Sequence, residues 1–455
     1  MQNLHTTAGP IAFPSRRSLP VDFMFRLSMI LTGGLILFFI IIVKARSAAE
    51  LSTEPILFGY TIFVITFQLS RLVSAWFYKS TYRKIISDFP IGPVKNIKSG
   101  GDFLSKVSIV VPCMNEEKAI ENTVTKCFEA DYPKDRFEVI VINDGSTDRT
   151  GEILQGLKKR YLNLVVVDWK KNRGKRHGMA AGFRLAKGEI VVQLDSDSYI
   201  DPPTFRNVIK PFRNPEVGAV SYHTDPENAE QNLLTKMQAA YYFMSFKILK
   251  AAESTYGVVL CCSGCASAYR KNIVLPLLDD WLEEKFLGLP VTWGDDRSIT
   301  NRVLREGYKT IYSDEASAFT ICPSTFKQFL KQQIRWKKGW FVNSIFASKF
   351  IVRREPFVAF IYFFPLMVVT VFTPFMAARA LIYNSAVHSD LSLLFYVLGV
   401  FLVVGMIAVQ YKMVSNGKNR YWPYLFIWAF INMTILVFLL PYALATIQNR
   451  KWGTR

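Results

Sequence analysis

A chain of 455 residues, half of them hydrophobic and a fifth charged, has room for more than one domain and is too apolar to stay unfolded. Its net charge of +19 is of the size nucleic-acid binders carry, but the Lys and Arg residues gather beside long apolar runs; this reads as membrane-flanking charge and sets nucleic acid aside as a partner. Six cysteines without paired loop spacing exclude a disulfide scaffold, and Cys261-Cys262-Ser263-Gly264-Cys265 has no second Cys/His cluster to complete a zinc site, so reduced thiols of a cytosolic domain are expected.

Residues 1–20 are polar, and Arg16 and Arg17 precede an apolar run at 27–43. That run is long for a signal-peptide core and a second one, 55–77, follows at once, so both are expected to be uncleaved membrane spans. Arg71 is expected near the cytosolic end of the second, its long side chain snorkelling to the interface. Lys79, Arg83 and Lys84 come next, and with Arg16, Arg17 and Arg26 they place the N-terminus and the following domain on the cytosolic side of a cell membrane.

From Val107 the pattern changes to short apolar runs alternating with helix-period segments. Residues 107–112 read as a buried strand, after which Asn115 reads as the N-cap of a helix with Glu116 and Glu117 in its first turn and Ile120, Val124 and Phe128 on one face. Residues 137–143, 164–168 and 190–195 are further strands, with a helix marked by Ile153, Leu154, Leu157 and Tyr161 between the first two. This alternation predicts a mainly parallel α/β sheet covered on both faces, where ligands bind beyond the carboxyl ends of the strands. Asn115, Asp144 and Asp195 all fall at such ends.

Four stretches carry chemistry. Gly174-Lys175-Arg176-His177 reads as a flexible basic loop, suited to phosphate or acceptor contacts, although His177 is as well explained as a plain loop residue. Asp195-Ser196-Asp197 supplies two hard oxygen ligands for Mg²⁺ or Mn²⁺, whose other positions water and a diphosphate can fill. Asp295 and Asp296 can take a proton from a sugar hydroxyl attacking an anomeric carbon, or can open a helix and pair with Arg297. In the run from Gln332 to Trp336, Arg335 offers a fixed fork to phosphate oxygens and Trp336 a flat face on which a sugar ring stacks; the same pair also suits a helix anchored at a membrane interface.

Residues 326–345 read as an amphipathic helix on a membrane surface, with Phe326, Phe329, Leu330, Ile334 and Trp340 on one face and Lys327, Lys331, Arg335 and Lys338 on the other. Three apolar stretches follow, 357–383, 391–409 and 422–447. The first two form a hairpin whose loop, 384–390, lacks Lys and Arg and is expected outside, with Lys412, Lys418 and Arg420 inside. A single crossing by the third would strand Arg450, Lys451 and Arg455 outside; Pro423, Asn432 and Pro441 suit instead a broken or re-entrant segment and a cytosolic C-terminus.

Taken together these residues resemble the processive family 2 glycosyltransferases. Val111-Pro112-Cys113-Met114-Asn115-Glu116 and Asn143-Asp144-Gly145-Ser146 look like their uridine-binding loops, and Asp195 and Asp197 match their metal motif. Gly294-Asp295-Asp296 matches the motif whose last Asp is the base, and Gln332, Arg335 and Trp336 match Gln-x-x-Arg-Trp. Within that family the likeness is greatest to the hyaluronan synthases, through residues 172–177, Cys262-Ser263-Gly264, residues 286–301 and the terminal Trp452-Gly453-Thr454-Arg455. Met114 departs from an aromatic residue that stacks on uracil in the family, and Cys265 from a Pro after Ser-Gly.

The resemblance implies a GT-A domain inserted between N- and C-terminal transmembrane helices. Residues 1–100 would hold two spans, 101–325 the catalytic domain, 326–355 interface helices and 356–455 the channel region. It also implies UDP-sugar donors, a growing polysaccharide, a divalent metal, and a gating loop over the site that includes Trp452, Thr454 and Arg455. Pro112, Asn115, Glu116, Asp144, Lys175, Arg176, Asp195, Ser263 and Gly264 would line the substrate site. Hyaluronan is the expected product. Cellobiuronate-type, β-glucan or chitin-oligomer synthesis and a non-enzymatic transporter or scaffold are the alternatives, the last opposed by the intact carboxylates.

Overall fold

The computed structural model describes residues 55–87, 105–383, 386, 392–415 and 419–449. The apolar run 27–43, nearly all of 384–390, and Lys418, Arg450, Lys451, Trp452, Thr454 and Arg455 lie outside them. The chain divides into two units, 1–61 and 62–455; of the first, only the opening turns of helix α1 (Pro55–Ser87) are described.

The larger unit is built on an eight-stranded sheet. Its strands are β1 (Val107–Cys113), β2 (Phe137–Asp144), β3 (Leu164–Trp169), β4 (Ile190–Gln193), β5 (Ser198–Ile200), β6 (Val217–Pro226), β7 (Ser267–Arg270) and, after a small hairpin β8–β9 (Lys285–Phe286, Leu289–Pro290), β10 (Lys309–Thr320). The order is β3-β2-β1-β4-β7-β6-β10-β5. Strands β3, β2, β1 and β4 are parallel, as are β6 and β10, while β7 opposes both neighbours and β5 opposes β10. Every residue of β1 is buried, as an apolar strand covered on both faces requires. Strand β4 stops earlier than its apolar run suggests, because the Ser198 amide turns back onto the Asp195 carbonyl (3.0 Å).

Helices α2 (Ile120–Glu129), α3 (Thr150–Arg160), α4 (Lys175–Leu185), α5 (Leu233–Met244), α6 (Asp295–Arg305) and α7 (Phe326–Ser348) complete the domain. Two local expectations are corrected. Asn115 does not cap α2: it takes a positive φ of 56°, its side-chain oxygen accepts from the Thr147 amide (2.8 Å), and the helix opens at Ile120 after a turn closed on the Glu116 carbonyl. Residues 175–177 are not a flexible loop but the first turn of α4. That helix lies hard against β1, since a Cβ on Gly182 would fall 2.2 Å from Val110 Cγ1.

Among the described residues α1 and α8 (Pro356–Tyr383) are long and apolar enough to cross a membrane. Helix α9 (Ser392–Val414) follows, then α10 (Tyr424–Thr434) and α11 (Leu439–Ala445), a pair bent by 46° as expected of a broken or re-entrant segment. The bend spans Ile435 and a 3-10 turn at Leu436–Phe438; Pro441 has no amide to bond the carbonyl four residues back, within that turn.

Arg71 is not near the end of its helix. Helix α1 continues for about four more turns beyond it, and the residue is buried, its guanidinium lying over the rings of Phe67 (5.3 Å) and Tyr362 (5.5 Å). The end of α1 docks on the sheet through Lys79–Asp314 (2.6 Å) and Tyr82–Ser313 (2.7 Å). Lys338 is also corrected: it is buried, because α7 is packed between α6 and α11, and its ammonium donates to the carbonyls of Thr446 (2.6 Å) and Asn449 (3.0 Å).

Candidate active site

The carboxyl ends of β1, β2 and β3 are knitted into one rim. The amides of Asn115 and Glu116 donate to Ser146 Oγ (2.9 Å) and Thr150 Oγ1 (2.8 Å), and the Asn143 amide group donates to Asp168 Oδ1 (2.8 Å). Buried Asp144 accepts from the amides of Arg173 (2.6 Å) and Gly174 (2.9 Å), so its carboxylate fixes the turn leading into α4. Pro112 is itself buried within β1, whereas Met114 is exposed and its thioether accepts from the Asn172 side chain.

That turn delivers two adjacent cations to two different acid clusters. The Lys175 ammonium binds Asp195 Oδ1. Burial acts to lower the Lys175 pKa, but the carboxylates of Asp195 and Asp295 prevail and hold it up at about 12, so the side chain stays charged. Arg335 of α7 is near enough for its charge to oppose that of Lys175. Arg176 points to the other cluster: Nε donates to Asp295 Oδ1 (2.7 Å), Nη1 to Glu284 Oε2 (2.7 Å) and the Trp281 carbonyl (3.2 Å), and Nη2 to the Trp293 carbonyl (3.1 Å). A guanidinium so engaged, and buried, ties down protein groups; it is not presented to a phosphate.

Asp195 and Asp197 leave β4 in a turn whose Ser196 carbonyl is held by Thr123 (2.9 Å). Across from them runs Ser263-Gly264-Cys265. A Cβ on Gly264 would sit 3.1 and 3.3 Å from the two Asp195 oxygens, while the Gly264 amide donates to Asp296 Oδ2 (3.1 Å). One residue thus lies beside both Asp195 and Asp296. Burial, followed by the charges of Asp195 and Asp197, pushes the Cys265 thiol well above its ordinary pKa, so it lies beside those carboxylates as a protonated thiol. Among the described residues no group of three or more His, Cys, Asp or Glu side chains could enclose a metal. Two half-buried carboxylates just past a strand end nonetheless fit Mg²⁺ or Mn²⁺, which keep oxygen positions for a diphosphate and water.

Helix α6 begins with Gly294 in the left-handed region (φ 66°) as its N-cap, followed by Asp295 and Asp296. Asp295 is buried on Arg176, whereas Asp296 is half-buried, with Oδ1 on its neighbour's amide (2.8 Å) and Oδ2 on Gly264. The ion pair with Arg297 expected as an alternative is replaced by that backbone contact. Behind the acids, Glu284 accepts from Arg176 and from Ser298 (2.7 Å), and Arg302 binds Ser298 (2.7 Å) and Asp280 (2.9 Å). Helix α7 carries Gln332, whose buried Oε1 has no hydrogen-bond partner among the described residues, and Trp336, which is about a third exposed (36%). Glu284, Gly339 and Asn343, which hold this arrangement, carried no sequence signal of their own beyond the small residue in Lys338-Gly339-Trp340.

Residues 108–275 match the model of the family described as glycosyl transferase family 2. The chain is 32% identical over 356 residues to a hyaluronan synthase of Streptococcus pyogenes, covering 77% of this chain and 83% of that one. It is 28% identical over 356 residues to an N-acetylglucosaminyltransferase of Azorhizobium caulinodans, covering 77% and 87%. In fold it is similar to a mannosyltransferase from Pyrobaculum calidifontis solved in complex with GDP-Man and Mn²⁺, with a TM-score of 0.57 and 21% identity over 86% of this chain and 99% of that one.

Proposed function

This chain belongs to the family 2 glycosyltransferases and carries their GT-A fold, and from that premise we propose that it is a membrane-embedded, inverting, processive synthase that joins UDP-N-acetylglucosamine and UDP-glucuronate into hyaluronan. The observation that carries the reading is the position of Gly264, whose amide donates to Asp296 and whose missing Cβ would press on the Asp195 carboxylate. Donor activation and acceptor deprotonation would be served by Asp195, after β4, and Asp296, in the first turn of α6, which meet at one loop residue, as a direct transfer requires.

In this reading Asp296 is the base, since it is the acid left half-exposed while Asp295 is buried and neutralised by Arg176. Asp195 and Asp197 would hold Mg²⁺ or Mn²⁺, which when bound offsets the charge of the departing nucleoside diphosphate. Asn115, Glu116 and Asp144 shape the uridine end, Arg335 meets the diphosphate, and Trp336 stacks on the acceptor sugar. Gln332, with its unsatisfied buried oxygen, is suited to an acceptor hydroxyl. The apolar helices make the chain a membrane protein. We place it in the plasma membrane as a multi-pass protein with a cytosolic catalytic domain, the polymer leaving through a channel formed by its own helices, because a sugar chain cannot cross hydrocarbon unaided.

The test is product analysis with purified protein and labelled UDP-sugars supplied singly and in pairs. Long products only from the pair, degraded by hyaluronidase, support the reading; long products from one donor overturn it. A chitin-type polymer made from UDP-N-acetylglucosamine alone is the second reading, favoured by the likeness to the Azorhizobium caulinodans N-acetylglucosaminyltransferase over an equal length.

A further inference from the structure

Asp195 already has a cation. The Lys175 ammonium is bonded to its Oδ1, and both side chains are sheltered, 18% and 26% exposed. Lys175 cannot easily withdraw: it opens α4, its neighbour Arg176 is fastened by four hydrogen bonds, and α4 is pressed onto β1 at Gly182. Gly264 lies beside the same carboxylate, where a side chain would press on both of its oxygens. A bare divalent ion arriving at Asp195 and Asp197 would have to compete for an oxygen the ammonium holds, and would stand beside that fixed positive charge and that of Arg335. A diphosphate changes this balance, because it brings negative charge and oxygens that can accept from Lys175 while sharing the divalent ion.

We propose that Lys175 is an internal counter-ion that closes the Asp195 site to a bare divalent cation and is handed to the diphosphate of the nucleotide sugar, so that the site takes up metal only together with donor. The inference rests on the assignment of Asp195 as a metal ligand. It makes Lys175 a residue that sets the order of binding, a role distinct from a plain phosphate contact and from a structural ion pair.

The test is Mn²⁺ binding to the purified full-length protein, followed by loss of the free-ion paramagnetic resonance signal, with and without UDP. Wild type should bind Mn²⁺ alone weakly, and UDP should tighten binding. Lys175→Met should tighten Mn²⁺ binding in the absence of UDP by about tenfold or more and shrink the effect of UDP, whereas Lys175→Arg should behave as wild type. Lys175→Gln, with a thermal unfolding scan of each variant, guards against misfolding. If Met and Gln variants that unfold at the wild-type temperature bind Mn²⁺ alone no more tightly than wild type, while Asp195→Asn abolishes the UDP-linked binding, the counter-ion role is wrong and the metal assignment stands. If Asp195→Asn leaves UDP-linked binding intact, the metal assignment fails and this inference with it.

Discussion

Gly294 and Gly339 meet backbone to backbone: a Cβ on Gly339 would lie 2.9 Å from the Gly294 Cα, and one on Gly294 3.0 Å from the Gly339 Cα. Gly294 also needs its positive φ to start α6, so an L side chain there is opposed twice. Asn343 closes the contact, donating to the Gly339 carbonyl (2.9 Å) and lying 3.5 Å from that of Gly294. The acids at the start of α6 and the Gln332–Trp336 turns of α7 are thereby held in one register, so this side of the candidate site is a helix–helix contact before it is a set of side chains.

Gly339→Ala should therefore harm catalysis more than donor binding. The added methyl must push α7 off the Gly294 turn, and overpacking of this kind costs about 1–3 kcal/mol. The expected result is a lower unfolding temperature and a polymerisation rate down by about tenfold or more, with UDP affinity within about threefold of wild type. A wild-type rate in the Ala variant would show that the register of α7 does not matter to the chemistry.

The two acids of the Gly294 turn should separate by phenotype. Asp296→Asn removes the half-exposed acid beside Gly264, and is expected to keep UDP-sugar binding while losing about 10²-fold or more in rate. Asp295→Asn instead leaves the buried Arg176 short of a countercharge, and breaking such a pair costs about 3–5 kcal/mol. Its chief symptom should be instability in a thermal scan. Reversal of the two phenotypes would make Asp295 the base.

The strands were legible because apolar runs bounded by turns encode them locally, and the positions of Asp195 and of the Asp295-Asp296 pair at element ends were legible for the same reason. The pairing of Arg176 with Asp295 was not, because the partners are 119 residues apart and no periodicity connects them. Lys175 and Arg176 read as loop cations since Gly174 precedes them; what makes them helical is the fit of α4 to β1 at Gly178 and Gly182, which only the packed structure contains. Asn115 misled in the opposite way. Its residue type suits an N-cap, but the Thr147 amide engaged its side chain first.

Lys338 gives a prediction for the C-terminal helices. Its ammonium holds the carbonyls of Thr446 and Asn449 just after α11, where a cation also complements the helix end, and it lies 5.7 Å from the Trp293 ring. Lys338→Met should free that turn at a cost of about 1.5–3 kcal/mol, read as faster proteolysis near the C-terminus of the detergent-solubilised protein. Unchanged protection would mean that the apolar packing of α11 alone anchors it.

Arg176→Lys decides between two readings of the same residue. From the sequence, Arg176 is a phosphate or acceptor contact; in the structure its fork is engaged by Asp295, Glu284 and the carbonyls of Trp281 and Trp293. Lysine keeps the charge but cannot satisfy acceptors that a rigid planar fork reaches together. If Arg176 positions the Trp293–Asp295 turn, the variant should show kcat reduced by about tenfold or more, a donor KM within about threefold of wild type, and a lower unfolding temperature from the disturbed buried network. The Asp296→Asn background should mask the kcat effect, since Arg176 would act through the placement of that acid and the two losses would not add. If instead Arg176 binds the donor, KM for the UDP-sugar should rise about tenfold with kcat nearly retained, and the loss should add fully to that of Asp296→Asn. The KM-against-kcat split and the double variant thus give opposite answers for the two roles.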